Sequence, residues 1–144
     1  MNLFGMLELS GSALGAERQR AEVVASNMAN SQTTHTPAGG PYRRQMVVFQ
    51  SQRVPRFSLA LAGVQREHSA AVRVAAVVSD RRPPVMRFEP GHPDANSEGY
   101  VAYPQVDPIE EMTDLLGAVR AYELNASAVQ ATKNMITQSL DLLR

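Results

Sequence analysis

Residues 107–144 read DPIEEMTDLLGAVRAYELNASAVQATKNMITQSLDLLR. Pro108 is the last proline of the chain and Gly117 its last glycine, so no strong helix breaker interrupts the run to Arg144. Asp107 suits an N-cap, Pro108 the first helical position, and Glu110 and Glu111 put negative charge in the first turn. Apolar side chains recur at Ile109, Met112, Leu116, Val119, Tyr122, Ala126, Val129, Ile136, Leu140 and Leu143. Their steps of three and four, with one gap of seven, predict one apolar face on a continuous helix near a coiled-coil repeat. Such a helix runs about 55 Å at ~1.5 Å per residue. A stripe of that length needs a long partner.

The other end of the chain supplies one. Phe4 to Met28 predicts a first helix, with Leu7, Leu14, Ala21, Val24, Ala25 and Met28 on one side. Glu17, Arg18, Gln19, Arg20 and Glu22 form a charged turn opposite them. Gly11, Ser12, Ala13, Gly15 and Ala16 are small, which lowers helicity but lets another backbone approach closely. Asn27, Asn30 and Ser31 have side chains suited to ending the helix.

Between the helices the chain reads as loops and short strands. The run TTHTPAGGP ending at Pro41 is a loop by composition. Strands are expected over Tyr42 to Gln50, more weakly over Phe57 to Leu61, and over Ala70 to Ser79. Val85 to Glu89 is expected to return after the Asp80–Pro84 turn as the partner of the last of these. Gly91 to Gly99 is a polar loop and Tyr100 to Tyr103 a short extended piece. The expected class is α+β: long N- and C-terminal helices packed as a coiled-coil-like pair, with a small β-rich middle. The segments are 1–31, 32–106 and 107–144.

At 144 residues the chain amounts to one domain, and with no cysteine it has neither disulfides nor thiolate metal sites. No apolar run is long enough for a membrane span, and no basic-then-apolar signal peptide precedes Arg18, the first cation. Net charge is zero but unevenly spread. Residues 42–88 hold nine arginines against two acids, whereas residues 89–144 hold three cations against nine acids. Opposed charge in a neutral whole favours self-association. Some of Arg43, Arg44, Arg81, Arg82 and Arg87 are therefore expected to meet acids of an adjacent subunit, with Glu110, Glu111 and Asp114 the leading partners.

Catalytic and cofactor chemistry finds little support. His35, His68 and His92 lack the short spacings of metal sites. Glu110 and Glu111 are adjacent on a helix and do not face each other, so they make no acid–base pair. No G-x-S-x-G elbow and no Gly-rich phosphate loop after a strand is present. The arginines of the middle are offset by acids downstream and are not interleaved with stacking aromatics, which argues against nucleic acid. No cofactor is expected.

Two segments carry a family resemblance. Ala25-Ser26-Asn27-Met28-Ala29-Asn30-Ser31 resembles the N-terminal signature of bacterial flagellar rod and hook proteins. Ala121-Tyr122-Glu123-Leu124-Asn125-Ala126, with Thr132 and Met135 beyond, resembles the C-terminal motif of the same family. Gly91-His92-Pro93-Asp94-Ala95, Gly99-Tyr100-Val101 and Pro104-Gln105-Val106-Asp107 resemble its proximal rod members, as do Gly11-Ser12-Ala13-Leu14 and Gly40-Pro41-Tyr42-Arg43. Thr36-Pro37 is separated from Tyr42 by Ala38-Gly39-Gly40-Pro41, which also fits the proximal rod rather than the distal rod or hook.

The resemblance implies a non-enzymatic axial subunit of the flagellar basal body. Its partners would be copies of itself, other rod proteins and the flagellar type III export apparatus, with no membrane insertion. It would cross into the periplasm without signal cleavage, its two end helices forming the inner layer. Asn27, Asn30, Tyr122 and Asn125 are the motif positions expected to matter. Leu116, Val119, Ile136 and Leu140 are expected to be buried against the N-terminal helix or neighbouring subunits. The alternative reading is a soluble export adaptor or chaperone-like module whose amphipathic ends fold on a client.

Overall fold

The computed structural model describes residues 3–54 and 69–142. Helix α1 (Leu3–Ala29) and helix α2 (Pro108–Asp141) enclose strands β1 (Gln45–Val54), β2 (Ser69–Ser79), β3 (Val85–Phe88) and β4 (Tyr100–Tyr103) in the chain. The order bears out the α+β expectation of two long end helices around a small antiparallel middle. The strand expected over Phe57–Leu61 and the last stripe residue, Leu143, lie outside the described residues.

Helix α2 starts as its first residues dictate. The Asp107 carboxylate accepts the Ile109 amide at 2.9 Å, and the Asp107 carbonyl accepts the Glu111 amide at 3.0 Å. Helix α1 ends on its own polar side chains: Asn30 donates to the Ser26 carbonyl at 2.9 Å and Ser31 to that of Met28 at 2.8 Å. The helices run antiparallel, since Asn27 meets Glu111 while Arg20 meets Asp114 further along α2.

On its other side α1 carries a ribbon. β1 and β2 pair antiparallel, Gln45 opposite Ser79 and Val54 opposite Ser69, with a bulge where Val48 opposes Ala76 and Phe49 opposes Val74. The ribbon follows α1 back toward its start: Gln45 sits at Asn27, and the Val72 amide donates to the Ser12 hydroxyl at 3.0 Å. The small residues around Ser12 thus permit the close approach that their size implied.

β3 does not return to β2. It pairs with β4, Val85 opposite Tyr103 and Phe88 opposite Tyr100. Two features turn the chain away from β2. The Asp80 carboxylate accepts both the backbone amide of Arg82 (2.9 Å) and its guanidinium (2.6 Å), folding the turn outward. Pro83 and Pro84 then remove two donors that a ladder would need. Closure onto β4 instead uses Asn96, whose side chain accepts the Glu98 and Tyr100 amides, and Gly99 at φ 81°. A Cβ at Gly99 would lie 2.9 Å from the Phe88 ring.

Among the described residues the apolar core is slight: Ala16, Val24, Val101 and Ala118 are buried, beside the polar Asn27, Glu111 and Thr132. That composition corrects the expected helix contact. α2 meets α1 through Glu111, Ala118 and Thr132, flanked by half-buried Leu115, Asn125 and Ile136. These positions lie one residue out of register with Met112, Leu116 and Val119, a rotation of about 100° at ~3.6 residues per turn.

Candidate assembly interface

Where α1, α2 and β1 meet, a side chain with two donors and two acceptors holds three elements together. Asn27 is 1% exposed. Its amide nitrogen donates to the Gln45 carbonyl at 2.8 Å and to Glu111 Oε2 at 2.9 Å. Its oxygen accepts the Gln45 amide at 2.9 Å and the Tyr42 hydroxyl at 3.0 Å. All four hydrogen-bonding positions of the amide are filled. Glu111 is completely buried, and its other oxygen accepts from Arg44 Nε.

Arg44 completes the cluster. Its Nη2 lies 3.8 Å from Glu110 and 3.6 Å from Asp114. Burial alone lowers its tendency to hold a proton, but the Glu111 hydrogen bond and charge, then Glu110 and Asp114, outweigh this and raise its pKa. The cluster joins the loop before β1 to both helices. Removing one partner of such a pair strands the other in a dry site.

The outward side of α2 is different. Ile109 is 78% exposed, Met112 57% and Leu116 51%, and Val119 and Leu124 are exposed too. Tyr122 and, at the end of the helix, Leu140 are also exposed. At the far end of the helix pair, Phe4, Met6 and Leu9 of α1 and Met135 of α2 are also uncovered. Exposed apolar side chains in this number mark an interaction site.

The chain's relatives say which kind. The model of the family described as Flagella basal body rod protein matches residues 7–34, and that of the flagellar basal body rod FlgEFG protein C-terminal matches residues 97–142. The chain is 39% identical to the Flagellar basal-body rod protein FlgC of Bacillus subtilis (strain 168), over 99% of each chain. Identity to the protein of the same name is 37% in Yersinia enterocolitica, over 99% of this chain and 98% of that one. In Borreliella burgdorferi it is 35%, over 100% and 99%.

The chain belongs to the flagellar basal-body rod protein family. It is a structural subunit of the flagellar rod, and the axial-subunit expectation is borne out over the adaptor alternative. The Asn27–Glu111 hydrogen bond joins the two matched segments in space.

The expected positions fall into two groups in this rod-family chain. Asn27 is the hub of the buried cluster, and Asn30 caps α1 while accepting the Thr33 hydroxyl at 3.1 Å. Asn125 does not bridge helices: it donates to the Ala121 carbonyl of its own helix at 2.8 Å. Leu116, Val119, Leu140 and Tyr122 are exposed, whereas Ile136 is half-buried on the inner side. The expected pairing of arginines with a neighbour's acids is corrected for Arg44, which binds Glu110, Glu111 and Asp114 of its own chain. Arg82 pairs with Asp80, and Arg87 stacks 4.7 Å over the Tyr103 ring.

Sequence reasoning missed Glu111 as a buried residue because first-turn charge explained it fully. It set Arg44 against Glu111 across two subunits rather than within one, and it missed Tyr42 as a partner of Asn27, since nothing local links residues so far apart in the chain. Among the described residues no group of three or more His, Asp or Glu is placed to hold a metal, and no helix is long and apolar enough to cross a membrane.

Proposed function

We propose that this chain is a proximal-rod subunit that polymerises through its terminal helices, with copies of itself and other rod proteins as neighbours. The observation that carries this reading is the outward apolar face of α2, which the fold of the single chain leaves uncovered. Burying a leucine or isoleucine fully stabilises by about 1.5–3 kcal/mol, so covering this face in a lattice supplies the driving force. The β-rich middle then stands outside the helical layer, and the export apparatus delivers the chain to a periplasmic rod. The full-length likeness to FlgC proteins supports the proximal position and a role without catalysis.

Deleting the gene should leave basal bodies that stop before a complete rod, and supplying the chain in trans should restore rods that contain it. Intact rods in the deletion strain, with the chain recovered bound to an export component, would favour an adaptor instead.

A further inference from the structure

Glu123 stands apart from the other acids of the chain. Glu110, Glu111 and Asp114 are engaged by Arg44, Asp80 by Arg82 and Glu22 by Arg18. Among the described residues, the side chains of Glu98, Glu123 and Asp141 are the acids left with neither an ion pair nor a hydrogen bond. Glu98 lies in the polar 91–99 loop and Asp141 at the last residue of α2, where water serves them. Glu123 instead stands on the outer side of α2, with Val119 and Leu116 four and seven residues before it and Leu124 after it, all exposed. Covering that side would strip its carboxylate of water, which is costly unless a cation meets it.

An unused cation lies on the other side of the molecule's middle. Between the loop before β1 and the turn after β2 is a pocket of about 120 Å³, and Arg43, Arg44, Asp80, Arg82, Pro84 and Gln105 are in its lining. Three guanidinium groups against one carboxylate leave it positive. Arg44 is held by the acids of α2 and Arg82 by Asp80, but Arg43 is exposed and forms no ion pair among the described residues. Arg81, next in the chain to Asp80, is exposed and unpaired too. Val85 and Met86, directly after Pro84, add exposed apolar surface. A free guanidinium fork beside apolar side chains complements a lone carboxylate set among leucines and a valine.

We propose that this pocket receives the Glu123 carboxylate of a second copy of this chain, bound by Arg43. The inference rests on the rod reading and adds which surfaces meet. A copy cannot fill its own pocket: Arg44 meets α2 at Glu111, and Glu123 lies twelve residues further, about 18 Å along the axis at ~1.5 Å per residue. Pocket and carboxylate are different patches of one subunit, so the contact is head-to-tail and extends without closing on itself.

The cysteine-free chain allows the contact to be trapped. Arg43→Cys and Glu123→Cys chains are expressed together as the only source of the subunit, and purified basal bodies are mildly oxidised. Both positions are exposed, so the isolated variants should unfold at the same midpoint as the parent chain. The expected result is a disulfide-linked dimer at least tenfold more abundant than with either variant alone. Arg43→Cys with Glu98→Cys is the comparison and should give no such gain. Basal bodies that contain the chains, with Arg43→Cys linked to Glu98→Cys, to a different rod protein or to nothing, would overturn the inference and leave the rod reading standing. If a cysteine keeps the chain out of basal bodies, charge reversal decides. The Arg43→Glu, Glu123→Arg double variant should then restore the incorporation that each single reversal loses, and a double variant no better than the singles overturns the inference. Absence of the unsubstituted chain from basal bodies would overturn both readings.

Discussion

The two long sides of α2 are built from different materials. Toward α1 it presents Glu111, Ala118 and Thr132, which are small or polar and fully buried; away from α1 it presents Ile109, Met112 and Leu116, which are large, apolar and more than half exposed. Most globular proteins put the larger apolar residues inside. Here the single chain closes on close backbone approach and one hydrogen-bonded cluster, and its apolar mass faces outward. The division teaches that the subunit's own fold and the assembly draw on separate residues, so each can be damaged without the other.

The largest expected effect on the fold lies on the inner side. Glu111→Gln leaves Arg44 without its buried charge partner, which costs about 3–5 kcal/mol. A urea or thermal unfolding curve of the isolated subunit should shift accordingly. Replacing both partners, Glu111→Leu with Arg44→Met, should recover much of that loss, because no charge is then stranded. Next comes Ala118→Leu, which forces the helices apart at a site 1% exposed and should cost about 1–3 kcal/mol.

On the outer side, Leu116→Ala should change the stability of the isolated subunit by no more than about 0.5 kcal/mol, as at other exposed sites. The same variant should lose motility while export is retained. A large drop in the unfolding midpoint of the isolated Leu116→Ala subunit would erase the distinction between the two sides.

The smallest effect is one of acidity. Backbone and side-chain hydrogen bonds from Arg82 hold the Asp80 carboxyl below its ordinary value of 3.8. A carboxylate with a lowered folded pKa adds stability above its unfolded value and loses it as pH falls through the folded one. Asp80→Asn should therefore lower stability slightly at neutral pH and flatten its loss below pH 3.8, so that the two chains converge in acid.

Much of this was legible in the sequence, for physical reasons that also explain what was not. The cap at Asp107, the proline after it and the unbroken run to Asp141 fixed α2 locally, and local signals need no tertiary partner. The stripe was real, but it mixes two heptad places: 115, 122, 129 and 136 share one, while 112, 119, 126 and 140 share another. Apolarity alone does not say which side meets α1. Small residues such as Ala118 carry no such signal, although they permit the closer approach.

The partner of β3 was hidden for a similar reason. Proximity in sequence favoured β2, while the turn chemistry of Asp80, Pro83 and Asn96 chose β4. The cluster at Asn27 was half visible: the asparagine stood out as a motif residue, but its partners Tyr42, Gln45 and Glu111 are assembled only by the fold.

Thiol labelling at one position tests the outward role of α2 most directly. In this cysteine-free chain, Leu116→Cys provides a single reactive site. It should react rapidly with a maleimide in the isolated subunit and be protected at least tenfold in purified basal bodies. Equal labelling rates in the two states would show that the outer side of α2 is not covered on assembly.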